Sequence, residues 1–273
     1  MDRKNILIEA DELLEKIGNE NLRIFDASLT DKFYLQEHIP GAAYFDHERF
    51  SDPNSRYMST ILPDDELVAQ IGRAGISNDS EVVVYACGML PYAIRAWWVL
   101  YYAGHNNVRV LNGGLSAWKE AGGKVEQATR QYEAAEFQGQ FRSSMFASKE
   151  EVLASIGDSR IAIVDVLPLE SYEASHIEGS ICLSCMDLMQ GDFKRGIDYL
   201  LPNDVLALHL KEISNYKRII TYCGGGIAAT VNAVAHLMIG HDNVDVYDGS
   251  MDEWLGEKLP IVGNGKWEIW LQS

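Results

Sequence analysis

Five residues, His38-Ile39-Pro40-Gly41-Ala42, return 138 positions later as His176-Ile177-Glu178-Gly179-Ser180. The run Val82-Val83-Val84-Tyr85 returns as Arg218-Ile219-Ile220-Thr221-Tyr222, with 137 positions between the tyrosines. Gly104-His105, Asn107-Val108 and the stretch from Gly113 to Trp118 return as Gly240-His241, Asn243-Val244 and Gly249 to Trp254, 136 positions on. Three separate landmarks share one spacing, half of the 273 residues, so the chain is a tandem duplication and both halves must solve the same folding problem.

Within each half, short β-branched runs alternate with helical patterns. In the first, Leu22 to Asp26, Glu81 to Tyr85 and Val108 to Leu111 read as buried strands, and Asp64 to Arg73, Tyr92 to Ala103 and Ser116 to Ala121 read as helices. The second repeats the strands at Ile161 to Asp165, Arg218 to Tyr222 and Val244 to Tyr247. Such alternation requires right-handed crossovers, so the expected class is α/β: two tandem three-layer domains, each a parallel sheet flanked by helices on both faces. The expected boundaries are an N-terminal domain over 1–125, a linker over 126–146, rich in Gln, Ala, Glu and Arg without clear periodicity, and a C-terminal domain over 147–273.

Twenty-three basic residues face 40 acidic ones, a formal charge of −17, which argues against nucleic acid or an anionic membrane as partner. The longest mostly apolar stretches, Ile94 to Ala103 and Ile227 to Ile239, are too short or too interrupted by Arg95, Asn232 and His236 to span a bilayer. Residues Met1 to Glu9 lack the apolar core of a secretory signal, so a cytoplasmic protein is expected. In that compartment Cys87, Cys182, Cys185 and Cys223 are thiols, each either a core filler or a reactive group.

Ligands of open parallel sheets sit where a strand's carboxyl end enters the next helix. After Arg218 to Tyr222 the chain reads Cys223-Gly224-Gly225-Gly226-Ile227-Ala228-Ala229 and continues into a helix expected to reach Ile239. Consecutive glycines let the backbone curl and turn its N–H groups inward around the cysteine sulfur, and the helix N-terminus adds its positive dipole end. Both favour the thiolate, which is the nucleophile, so Cys223 is the reactive-cysteine candidate and Gly224, Gly225, Gly226, Ile227 and Ala228 are the substrate-binding backbone. A phosphatase loop needs an arginine six residues after its cysteine, where Ala229 stands. A nucleotide loop needs a Lys-Ser/Thr ending that is also missing.

His38-Ile39-Pro40-Gly41-Ala42 with Tyr34 before it, Tyr222-Cys223-Gly224-Gly225-Gly226, and Tyr247-Asp248-Gly249-Ser250 with Glu253-Trp254 resemble the tandem rhodanese-domain sulfurtransferases, thiosulfate and mercaptopyruvate sulfurtransferases among them. The likeness runs from Leu22 to Pro260. It implies an inactive first domain, with Ala86 at the cysteine position, and a second whose Cys223 cycles through a persulfide. A small donor supplies the sulfane sulfur, cyanide or a thiol accepts it, and no metal or organic cofactor is needed. The runner-up is a low-turnover persulfide carrier or sulfur-sensing module acting through a protein partner.

The chain departs from that family where the donor's carboxylate is held. The expected arginines fall on Leu167 and Ser171, the histidine of the proposed serine-histidine-aspartate relay on Ser59 or Thr60, its aspartate on Glu48, and the loop serine on Gly225. Arg56, Arg95, Lys194 and Arg195 are weak replacement cations, read as surface or structural charges. His38, His176, Trp118, Trp254, Gly104 and Gly240 occur in both halves and are read as structural, since only one half has the reactive cysteine. Cys182 and Cys185 resemble a redox or zinc pair, but Ser180 to Ser184 falls where the family has an extended segment, and residues three apart on a strand face opposite sides. Cys87 lies on the inactive loop, which is expected to face the other domain and to wall its cleft.

Overall fold

Val82 to Tyr85 and Ile219 to Tyr222 are fully buried, as the central strands of a sheet covered on both faces must be. The computed structural model describes residues 1–192 and 196–268. Its first half comprises β1 (Leu7–Ile8), α1 (Ala10–Lys16), β2 (Leu22–Asp26), α2 (Asp31–Gln36), β3 (Ala43–Tyr44), α3 (Asp64–Arg73), β4 (Glu81–Tyr85), α4 (Leu90–Tyr102), β5 (Val108–Leu111) and α5 (Gly114–Glu120). These strands form a five-stranded parallel sheet in the order β1-β5-β4-β2-β3.

The second half comprises β6 (Phe146–Ala147), α6 (Lys149–Ser155), β7 (Ile161–Asp165), α7 (Leu169–Ala174), β8 (Ser175–Ile177), β9 (Ile181–Cys182), β10 (Met189–Asp192), β11 (Ile197–Leu200), α8 (Asn203–Leu210), β12 (Arg218–Tyr222), α9 (Ala229–Met238), β13 (Val244–Tyr247), α10 (Ser250–Gly256) and β14 (Ile261–Gly263). Its parallel sheet has the order β6-β13-β12-β7-β9, the first sheet strand for strand. An antiparallel hairpin β10-β11 and the antiparallel pair β14-β8 are added to it.

The expected central strands stand where the β-branched runs put them, but two helices begin two residues early. α4 starts at Leu90 and not Tyr92, because Pro91 in a first turn gives up an N–H that would have no partner there. α5 starts at Gly114 and not Ser116, the glycine pair reading as loop although Gly114 already belongs to the helix. Cys182 and Cys185 do not share one extended segment: Cys182 ends β9 and Cys185 opens a 3₁₀ turn over Cys185–Leu188. Residues 127–142 contain no helix or strand and lie along the first half, the Ala135 amide donating to Gly72 O and the Gln140 amide to Ala103 O, both at 2.9 Å.

α4 and α9 are buried around almost their whole circumference and pack against each other, so one apolar cluster is continuous through both halves. Each half also sends an excursion over the other's strand-to-helix loop. From the first, residues 51–61 approach α10: the Ile61 amide donates to Asp248 Oδ2 at 2.7 Å and the Met58 amide to Asp252 Oδ2 at 2.8 Å. From the second, β10-β11 covers the start of α4, with Asp198 Oδ2 accepting the Leu90 amide at 2.5 Å. Among the described residues no helix is long and apolar enough to cross a membrane.

Candidate active site

β12 ends at Tyr222, whose buried hydroxyl accepts the Ile177 amide at 3.0 Å and so ties the strand end to β8. Cys223 is the next residue, only 3% exposed, and the chain curls through Gly224 to Ala228 before α9 begins. Gly226 has φ +79°, and a Cβ there would stand 2.5 Å from the Asp248 carbonyl oxygen, so no other residue fits. Gly224 passes under the Trp267 indole, where a Cβ would meet the ring at 2.4 Å. A Cβ on Gly225 would make only ordinary contact with Met58, at 3.5 Å. Two of the three glycines are therefore demanded by geometry, and the middle one is not.

Ser250 organises this turn. Its Oγ accepts the amides of Cys223 at 3.0 Å and Gly226 at 3.1 Å, donates to the Tyr247 carbonyl at 2.8 Å and lies 4.0 Å from Cys223 Sγ. Of the five amides expected to face a substrate, that of Gly226 is thus already taken. Those of Gly224, Gly225, Ile227 and Ala228 find no protein acceptor among the described residues. Sequence reasoning treated Ser250 only as part of a repeated motif. The signal was there, since the equivalent residue of the first half is Gly114.

Both halves wall the loop. Tyr92, from the first turn of α4, has its hydroxyl pushed up by burial and then by the neighbouring Cys223 sulfur. Cys185 is buried, and the same two causes in the same order push its thiol up to about 12, so it is no competing nucleophile. The Cys182 thiol is pushed up to about 11, chiefly by burial. Cys182 and Cys185 belong to no cluster of metal-ligating side chains among the described residues. His47 Nε2 donates to the Ala27 carbonyl at 2.9 Å, its ring meets Tyr92 edge-on at 5.4 Å, and burial lowers it to about 4, so the imidazole is neutral. Cys87 sits on the first-half loop with its amide on Ser28 Oγ at 2.8 Å, its thiol raised by burial.

Two of the four weak cation candidates are held in ion pairs. Arg95, from α4, pairs with Asp248 Oδ1 at 2.6 Å and donates to the Ser59 carbonyl at 2.9 Å. Arg56 pairs with Glu257 at 2.6 Å, and Lys194 and Arg195 lie outside the described residues. Leu167 and Ser171, at the positions of the missing arginines, are both buried in the second half. His38 and His176 hold the ends of their short helices, each with Nδ1 2.6 Å from the carbonyl four residues back, of Tyr34 and Tyr172, and each ring stacked on that tyrosine.

The sequence pattern described as "Rhodanese-like domain" matches the chain twice, over residues 9–121 and 148–257. Thiosulfate sulfurtransferase of Bos taurus is 32% identical over 92% of this chain and 91% of its own. The 3-mercaptopyruvate sulfurtransferase of Escherichia coli strain K12 is 30% identical over 90% of this chain and 94% of its own. The crystal structure of SseA from Escherichia coli, described as showing the fold of 3-mercaptopyruvate sulfotransferases, superposes with a TM-score of 0.80 at 28% identity, covering 89% of this chain and 98% of that one.

Proposed function

The chain belongs to the rhodanese family of sulfurtransferases, and from that premise we propose that Cys223 is its sulfur carrier. Thiosulfate and 3-mercaptopyruvate, named for the relatives, are the donors to consider first. The Cys223 thiolate attacks the donor's transferable sulfur; a new S–S bond forms, and the bond to the rest of the donor breaks. With thiosulfate, sulfite leaves with the electron pair; with mercaptopyruvate, the C–S bond breaks, its electron pair leaves with the enolate of pyruvate, and the proton of the donor thiol converts that enolate to pyruvate. Cyanide or an acceptor thiolate then attacks the outer sulfur of the persulfide, and the Cys223 thiolate is restored. Excess negative charge on the outer sulfur is met by the amides of Gly224, Gly225, Ile227 and Ala228 at the positive end of α9.

The observation that carries this reading is one cysteine at a strand end, braced by Ser250 and followed by four amides with no protein acceptor among the described residues. Incubation with thiosulfate or mercaptopyruvate is expected to add the mass of one sulfur atom to the intact chain, and Cys223→Ser to remove that gain. A gain that survives Cys223→Ser overturns the assignment. A second reading, a carrier that loads once and passes its sulfur to a protein, is favoured by the 3% exposure of Cys223 and by the burial of Leu167 and Ser171. Steady-state transfer to cyanide separates the two: repeated turnover supports the enzyme, and a single stoichiometric transfer supports the carrier.

A further inference from the structure

A carboxylate lies beneath the cysteine loop. Asp248 Oδ1 would stand 2.8 Å from a Cβ on Gly226, and its other oxygen accepts the Ile61 amide at 2.7 Å. Left uncompensated, a carboxylate against Gly226, three residues after Cys223, opposes negative charge on the Cys223 sulfur, because a nearby like charge disfavours the ionised form. It is compensated from the other half of the molecule. Arg95 is 3% exposed, with Nη1 2.6 Å from Asp248 Oδ1 and 3.4 Å from the Gly226 carbonyl oxygen, and its guanidinium lies 5.6 Å from the centre of the Phe146 ring.

The remaining titratable groups around the loop do not supply this compensation. Asp252 adds a second negative charge, its carboxylate accepting the Met58 amide and its own amide donating to the Gly224 carbonyl. Glu253 is paired with Lys149 at 3.3 Å. His47 is neutral, and Tyr92 and Cys185 keep their protons near neutral pH. Lys266 and Glu268, one of each sign, flank Trp267 on the tail that crosses Gly224.

Resting on Cys223 as the sulfur carrier, we infer that Arg95 is a positioning residue of the transfer site: it neutralises Asp248 and pins the Gly226 peptide, and so lets the cysteine sulfur hold negative charge. The first half, without a reactive cysteine of its own, then contributes electrostatics as well as a wall.

The test is the pH profile of Cys223 alkylation by iodoacetamide, with the labelled residue located by peptide mass spectrometry, in wild type and four variants. Arg95→Met is expected to move the profile up by about one pH unit, roughly tenfold slower labelling near neutrality. Arg95→Lys and the double variant Arg95→Met/Asp248→Asn are expected to restore it, and Asp248→Asn alone to move it to lower pH. A purely structural role for Arg95 predicts no return in the double variant, which lacks the ion pair altogether. An Arg95→Met profile that superposes on wild type, or a double variant that stays displaced, overturns the inference. Should Arg95→Met fail to fold, the direction of the Asp248→Asn shift decides: a shift upward or none at all overturns it. Wild-type labelling that appears on another cysteine defeats the reading of Cys223 itself, a result distinct from failure of the Arg95 inference.

Discussion

The two strand-to-helix loops share a frame and differ in what fills them. Ala86 O accepts the Leu115 amide at 3.3 Å, and Cys223 O accepts the equivalent Met251 amide at 3.0 Å. Beyond that point they diverge. In the first half the Cys87 amide goes to Ser28 Oγ, and Leu90, opening α4, gives its amide to the buried carboxylate of Asp198, delivered by the other half's hairpin. In the second half two further loop residues precede the helix, and four amides have no protein acceptor among the described residues. The strand-loop-helix unit makes an anion-binding turn in either place. On the proposed role of Cys223, a reaction site needs, besides the cysteine that Ala86 replaces in the first half, a turn that the opposite half does not plug with a carboxylate, as Asp198 does, and a local carboxylate kept neutralised, as Arg95 does for Asp248.

The largest expected effect tests that assignment directly. Cys223→Ser should reduce sulfur transfer to cyanide to the uncatalysed background, a loss of roughly a thousandfold or more, since the neighbouring Cys185 thiol is kept protonated by burial and cannot replace it. Cys87→Ser should leave the rate within about twofold. A large loss on Cys87→Ser would show that the first-half loop is not inert.

The next effect tests the plug. Ala86→Cys introduced into the Cys223→Ser chain places a thiol at the equivalent strand end, beside a helix start that Asp198 already occupies. Persulfide formation, read by intact mass, should stay below about one hundredth of the wild-type rate, because the carboxylate both occupies the donor position and repels an anionic sulfur. A graft that loads readily would mean that cysteine alone, and not the emptiness of the turn, separates the halves.

A third prediction bears on the shared frame. Asp26 and Asp165 end equivalent strands, both buried, and both have a raised carboxyl, that of Asp165 reaching about 6 through burial, against 3.8 in the open chain. A carboxyl whose folded value lies above its unfolded one binds its proton more tightly in the native state. Its stabilising contribution is present below about pH 4 and is lost as pH rises through about 6. Asp165→Asn, which mimics the protonated form, should therefore gain about 2 kcal/mol relative to wild type between pH 4 and pH 7 in urea unfolding. A stability difference that does not vary with pH would show that the carboxyl titrates normally.

Much of the frame was legible because it is local. Runs such as Val82 to Tyr85 announce a buried strand, the duplication doubles each such signal, and Cys223 with its glycines stands at the one strand end where they coincide. The helix starts at Leu90 and Gly114 were read late because proline and glycine mark loops more often than first turns. The parts of the site that escaped are those built by distant residues. Arg95 and Asp248 are 153 residues apart, more than a whole domain's length, and no spacing rule pairs them. The burial of Ser171, which removes it as a place to install a donor-binding arginine, is likewise a property of how α7 packs.

Ser250 carries the next smaller effect. Gly114 stands in its place in the first half, and both residues have left-handed backbone, φ 50° for Ser250 and 55° for Gly114. Ser250→Gly thus relieves backbone strain while removing the oxygen that accepts the Cys223 and Gly226 amides. Transfer should fall about tenfold with the melting temperature little changed, since a lost preorganising contact lowers the rate even where the fold gains. A drop in stability with no change in rate would instead make Ser250 a structural residue.

The smallest effect lies at the middle glycine. A side chain at Gly224 would strike Trp267, and one at Gly226 would strike Asp248, whereas a Cβ at Gly225 meets only Met58 at van der Waals distance. Gly225→Ser should therefore leave folding intact and the rate with thiosulfate within about threefold, while Gly226→Ala, forced to hold φ +79°, loses stability by at least about 1 kcal/mol. The first half offers the control. Its own left-handed loop glycine, Gly88 at φ +68°, faces the Gly196 backbone, where a Cβ would stand 3.2 Å from Cα. Gly88→Ala should cost stability without touching single-turnover persulfide formation. If Gly225→Ser disabled the enzyme as thoroughly as Gly226→Ala, the loop would have to change shape during transfer, and the turn described here would be only one of the conformations it uses.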